Sequence, residues 1–274
     1  MHKKLALIII VFFLFGDFLL WREIFLLDQG KVIFFNVGQG DAILIKTKEH
    51  HYILIDGGPQ GKLLLKKLSQ ELPFWNKKID LIFLTHPERD HLEGLLSVLD
   101  NYKVENIIWT GIKRDTEIYR SWEEKIKKEN AKIYFAKANL KVIAGSNIFL
   151  VLYPFESLKD LNFEKSCNET SLVLELFSEN KKFLFTGDIS QKEEEKIYTK
   201  YAPQKIDVLK VAHHGSKYST SKEFLENFFP EFAVISCGEN NYGLPSQEVL
   251  NLLSFYGIKI LRTDINVDLK FNLN

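Results

Sequence analysis

The segment LTHPERDHLEG, residues 84–94, follows the apolar run Asp80–Phe83 and places His86, Asp90 and His91 within a few positions of one another. Neutral imidazole and carboxylate together are ligands for zinc, manganese or iron. The spacing predicts a strand that ends near His86 and a helix that starts near Glu88, which turns Asp90 and His91 toward the same volume as His86. Pro87 suits such an entry, because a proline at the start of a helix has no amide hydrogen to leave unsatisfied.

Four other apolar runs also end in polar residues where a rigid scaffold presents side chains. These are FFNVGQGD with Asp41, LIDGG with Asp56, LFTGD with Asp188, and LKVAHHGS with His213 and His214. Each has two readings. Asp41 and Asp56 are turn residues or members of a site that glycines allow a ligand to approach. Asp188 is a site carboxylate or the N-cap of a helix beginning near Gln191. The histidine pair faces solvent or a metal.

The elements that carry these residues alternate in a recognisable order. Candidate strands are KVIFFNV, DAILIKT, YILIDGG, DLIFLTH, ENIIWTG, AKIYFAK, NIFLVLY, TSLVLELF, KFLFTGD, DVLKVAH, FAVISCG, IKILRT and VDLKFNL. Helical patterns cover 62–72, 93–101, 117–130, 191–201, 221–229 and 246–256. Strands come first, mixed units follow, and the order then repeats, which predicts an α/β fold of two sheets with helices on the outer faces. No linker divides the chain, so one large domain over 28–274 is expected. Hydrophobic residues at 46% and charged residues at 26% support a substantial core.

Lysine plus arginine equals aspartate plus glutamate, 36 each, so no overall positive field would gather polyanions. A metal could still supply local positive charge for a phosphate-bearing substrate. Cys167 and Cys237 are too few for a disulfide framework and lack C-x-x-C spacing. They read as buried small residues, with a single bridge between them left open. The start, MHKKLALIIIVFFLFGDFLLWREIFLL, is apolar from Leu5 to Trp21, a reach of roughly 25 Å at helical rise. It lacks a small-x-small cleavage pattern, so residues 1–27 are expected to form an uncleaved single-pass membrane anchor. Lys3 and Lys4 would stay cytoplasmic and the large domain would lie on the extracytoplasmic side.

Taken in order, NVGQGDAILI, ILIDGG, IDLIFLTHPERDHLEG, NETSLVLEL, KFLFTGDI, DVLKVAHHGSKYSTS, AVISCGENNYGLPS and RTD resemble the metallo-β-lactamase fold superfamily. Within it they are most similar to the soluble C-terminal domain of the DNA-uptake protein ComEC. The resemblance implies a four-layer αββα sandwich with a metal site at one edge. It maps the H-x-H-x-D-H motif onto His86, Glu88, Asp90 and His91, with glutamate at the second histidine, and adds Asp188 and His214 as further ligands. A further ligand histidine found in other branches is absent near Asn168 and Ser171. One tightly held divalent ion, Mn2+ or Zn2+, is therefore expected at Asp90, His91, Asp188 and His214, with room for a second, weaker ion near His86 and Glu88.

The same resemblance implies a hydrolase that attacks a phosphodiester, DNA above all, with water activated by the ion. Asp90, His213 and Lys217 are the expected catalytic groups, and Asp41, Asn168, Ser171, Ser216 and Tyr242 the expected substrate contacts. Leu244 stands where related domains carry a histidine in Y-G-H-P, which puts full activity in doubt. The complete relatives carry a channel region that nothing here can form, so the chain is expected to be either a stand-alone relative with its own anchor or a partner of a separately encoded uptake channel. Hydrolysis of small esters or amides at the cell surface, or a binding role without turnover, are the alternatives.

Overall fold

The structure is a computed structural model and describes residues 11–19 and 30–273. Residues 11–19 are helical (α1), with their side chains exposed. The rest of the expected 1–27 anchor lies outside the described residues. Among the described residues no helix is long and apolar enough to cross a membrane.

Strand alternation decides the layers, because successive side chains point to opposite faces of a sheet. In β1 (Lys31–Phe34), Val32 and Phe34 turn inward while Ile33 turns outward. β2 (Ile43–Lys46), β3 (Tyr52–Ile55), β4 (Lys78–Leu84), β5 (Lys103–Trp109) and β6 (Lys132–Phe135) follow β1 in one seven-stranded sheet, and β14 (Leu269–Asn272) closes its other edge. The second seven-stranded sheet runs β13 (Lys259–Arg262), β12 (Phe232–Ile235), β11 (Val208–Lys210), β10 (Lys182–Phe185), β9 (Val173–Phe177), β8 (Asn147–Tyr153) and β7 (Lys141–Ala144). Each sheet is antiparallel in one part and parallel in the other.

Three apolar layers hold this sandwich together. Phe34, Ile43, Ile55 and Phe83 of the first sheet meet Phe149, Leu174, Phe183 and Phe185 of the second. The outer face of the first sheet packs under α2 (Gly61–Glu71), α3 (Arg89–Asn101) and α4 (Glu117–Glu129) through Leu64, Leu95, Val98 and Trp122. The outer face of the second packs under α5 (Gln191–Lys200), α6 (Lys222–Phe228) and α7 (Gln247–Phe255) through Ile197, Phe224, Leu225 and Leu253. Full burial of a large aliphatic or aromatic side chain stabilises by about 1.5–3 kcal/mol, so these layers dominate the fold. The expected αββα sandwich is the one observed. Strand β7, KVIA, escaped the sequence pattern because two of its four residues are exposed, as suits a sheet edge. Both cysteines are buried and free.

Candidate metal centre

The centre forms where strand ends of both sheets meet the first turn of α3. Gly57 and Gly94 make that approach possible. The Gly57 amide donates to the His91 carbonyl at 2.7 Å and the Gly94 amide to the Gly58 carbonyl at 2.9 Å. A Cβ on Gly57 would stand 2.5 Å from the Leu95 nitrogen, and one on Gly94 would run into the Gly57 carbonyl. Larger residues would push α3, and with it Asp90 and His91, off the sheet. On the other sheet His213 and His214 take left-handed backbone angles, φ 48° and 54°, which send their rings in different directions. Such angles cost energy in a non-glycine residue and cluster at functional sites.

Asp90, His91, Asp188 and His214 each offer one ligand atom, and these atoms all lie within 4.8 Å of one another. One carboxylate oxygen, Asp188 Oδ2, stands 3.3 Å from His91 Nε2 and 3.4 Å from His214 Nε2, and Asp90 Oδ2 is 3.3 Å from the same His214 nitrogen. The His86 ring joins this group with its centroid 4.2 Å from that of His91.

Partners behind the rings fix which nitrogen faces the group. His91 Nδ1 lies 2.8 Å from Asp56 Oδ2, and His214 Nδ1 lies 2.8 Å from the Ser236 carbonyl. Both acceptors require Nδ1–H, so each Nε2 carries its lone pair toward the centre. Thr85 gives its hydroxyl hydrogen to Asp56 at 2.6 Å and can only accept from His86 Nδ1, 3.0 Å away. Nε2 of His86 and of His91 are then buried acceptors with no hydrogen-bond partner among the described residues. Lone pairs and carboxylate oxygens face one another here. That conflict calls for a cation, and the donor set of two imidazoles and two carboxylates fits Mn2+ or Zn2+.

The titration behaviour carries the same signature. Burial alone would lower His91 and His214, but the surrounding carboxylates together outweigh it, Asp188 foremost, joined by Asp56 and Asp90 at His91 and by Asp90 and Asp41 at His214, and raise both, His91 far above the ordinary histidine value. Burial would raise Asp188, yet the His214 and His91 rings and the Lys210 ammonium hold it well below the usual carboxylate range. Burial, and then His91, drive His86 well down, so it is neutral. Without a metal, protons supply the positive charge that the group demands.

Several expected residues stand elsewhere. Glu88 is not in the group: its carboxylate takes the Arg114 guanidinium at 3.1 Å and the Cys167 amide at 3.1 Å, turned away by the longer reach of glutamate toward a buried cation. Asp41 does not face substrate. It is buried, paired with Lys210 and bonded through its amide to the Asp90 carbonyl. Ser171 is also buried; it contacts His86 Nδ1 at 3.2 Å and accepts from the Asp188 amide at 3.0 Å. Lys217 extends over the Tyr218 ring at 5.3 Å and is not among the residues that line the cleft. Asp188 does not cap α5, because Ser190 and Glu193 form that cap. His213 lies beside the centre with Nε2 3.2 Å from Asn168 Nδ2. An open cleft of about 560 Å³ leads to Asp90, His213 and His214, lined further by Ser216, Tyr242 and Leu244.

Two further residues are central to this arrangement, Asp56, for which the sequence left two readings open, and Lys210, which carries no sequence signal of its own. The role of Asp56 emerges only when α3 packs over it. Lys210 is fully buried, where a lysine seldom lies unless paired. Its ammonium donates to the Gly187 carbonyl at 2.8 Å, pairs with Asp41 and lies 3.4 Å from Asp188 Oδ1, and those two carboxylates keep it charged against burial.

No family model matches the chain. Among curated proteins, it is 29% identical to ComE operon protein 3 of Bacillus subtilis, over 93% of this chain and 34% of that protein. It is 28% identical to Competence protein ComA of Neisseria gonorrhoeae, over 90% and 33%. The chain thus spans about a third of the length of these relatives. Among solved structures, the metallo-beta-lactamase fold protein YhfI of Bacillus subtilis superposes with a TM-score of 0.59 at 12% identity, covering 88% of this chain and all of YhfI. A diphosphatase of the PhnP family gives 0.52 at 15% identity, covering 88% and 98%. The two mixed sheets, the His/Asp cluster at their shared edge and these likenesses make the chain a metallo-β-lactamase-fold protein, related in sequence to competence proteins of the ComEC type.

Proposed function

We propose that the chain is a metal-dependent phosphodiesterase that cleaves DNA in a DNA-uptake setting at the membrane. The observation that carries this reading is the convergence of Asp90, His91, Asp188 and His214, two of which, Asp90 and His214, line an open cleft. Relatedness to competence proteins supports DNA as the substrate. A divalent ion held by those four residues, with a weaker one allowed near His86, supplies Lewis acidity that acidifies water and draws charge from a phosphoryl oxygen.

The chain's own groups do the remaining work. Asp90, the ligand most open to the cleft with its side chain 36% exposed, orients the attacking water and takes its proton. His213, which burial holds below the ordinary histidine value, stays neutral at pH 7, and Asn168 fixes its ring. From there it donates to a non-bridging or departing oxygen. Ser216 and Tyr242 contact the substrate along the cleft. Full-length protein loaded with Mn2+ or Zn2+ should nick supercoiled plasmid and leave chromogenic esters intact, and His214→Ala should lose the nicking. Equal nicking by that variant, or turnover of esters alone, rejects the proposal.

A further inference from the structure

The cleft presents two tyrosine rings that stand outside the core, Tyr218 with the Lys217 ammonium 5.3 Å from its ring centroid and Tyr242. Tyr218 is 67% and Tyr242 80% exposed, yet both line the cleft that holds Asp90, His213 and His214. Their backbones are held firmly. The Tyr218 carbonyl accepts from the Gln191 amide at 2.9 Å, and the Tyr218 amide donates to Ser216 Oγ at 3.3 Å. Across the cleft, Asn240 Oδ1 accepts from the amides of Tyr242 and Leu244 at 3.0 and 3.1 Å, while its Nδ2 donates to the Leu244 carbonyl at 2.7 Å. Fixed loops thus carry large apolar faces into solvent beside a metal centre, an arrangement that burial energy disfavours unless a ligand covers it.

The surroundings narrow the chemistry of that ligand. Leu244 and Pro59 add apolar wall, and Arg89, its guanidinium paired with Glu93 at 2.5 Å, stands at the rim. Flat aromatic faces with nearby cations are the elements that bind unpaired nucleobases, since every base offers a π-face whatever its sequence. We propose that Tyr218 and Tyr242 stack the bases on either side of the scissile phosphodiester, so that the site selects unpaired over paired strands. This rests on the phosphodiesterase reading above and adds to it a specificity determinant. Paired bases are already stacked on their neighbours and cannot offer these faces without local melting.

Binding measured without turnover separates the two. Full-length protein in EDTA is titrated into a fluorescent single-stranded 20-mer and, separately, its duplex, and anisotropy is followed. Single-strand affinity should exceed duplex affinity about tenfold, and the double variant Tyr218→Ala/Tyr242→Ala should lose about tenfold or more for the single strand. Tyr218→Phe/Tyr242→Phe should stay within about twofold, because stacking needs the ring and not the hydroxyl. Unchanged melting temperatures show that the variants fold. Loss in the phenylalanine variant equal to that in the alanine variant, equal duplex binding, or no binding by the wild type overturns the inference. Ring-dependent binding without plasmid nicking in Mn2+ or Zn2+ would leave stacking intact and reject the phosphodiesterase reading instead.

Discussion

On the buried side of the centre, His86, His91, His214 and Asp188 each hold a second partner inside the fold, namely Thr85, Asp56, the Ser236 carbonyl and Lys210. On the cleft side, Asp90, His213, Tyr218 and Tyr242 meet solvent or loop residues. The difference teaches where each property is encoded. The candidate ligands His91, Asp188 and His214 are buried in the core. The wall of the cleft is carried largely by loops.

If the buried side is structural in this sense, disturbing it should affect folding and metal binding together. Lys210→Met leaves the Asp41 carboxylate buried without its cation, which should cost about 3–5 kcal/mol in denaturant unfolding. A loss below about 1 kcal/mol would show that the interior pair is dispensable. Asp56→Asn is subtler. An amide cannot accept from the Thr85 amide, the Thr85 hydroxyl and His91 Nδ1–H all at once. Metal affinity measured by competition with a chelating dye should fall about 10- to 100-fold.

The titration shifts extend the same contrast to pH. In metal-free protein His91 and His214 hold protons more tightly when folded than at the ordinary value of 6.5. Their contribution is therefore complete below that value and is lost as pH rises through their folded values. His86 and His213 are neutral in the fold and add nothing to the slope once the unfolded chain has also deprotonated. Melting temperature in EDTA should fall as pH rises above 6.5 through the folded values of these two histidines, and saturating metal should remove that fall. The smallest effects belong to residues that motif position suggests and geometry sets aside. Glu88→Gln and Lys217→Met should each change metal affinity by less than about threefold, as fits a carboxylate engaged elsewhere and an exposed ammonium. A tenfold loss for Glu88→Gln would return it to the ligand set.

This division also governs what could be read from sequence. Alternating apolar runs announced the two sheets, because a strand buried on both faces leaves a continuous hydrophobic signature. The ligands were legible because HPERDH, TGD and HHGS follow such runs at strand ends. The resemblance places Asp41 and Ser171 among the substrate contacts, and only packing shows that both are buried. Burial gave no warning at Lys210, where a charged residue interrupts an apolar strand, nor at Asp56, whose partner lies 35 residues away across α3. Tyr218 lacked any pattern, since exposure on a loop leaves no periodicity.

The central claim is that Asp90, His91, Asp188 and His214 hold one divalent ion. Elemental analysis of the full-length protein after loading with Mn2+ or Zn2+ and gel filtration tests it most directly, alongside Asp188→Ala and His214→Ala. The account predicts about one tightly held equivalent per chain in the wild type and none in either variant. Two equally retained ions in the wild type, or metal retained in the variants, would contradict it.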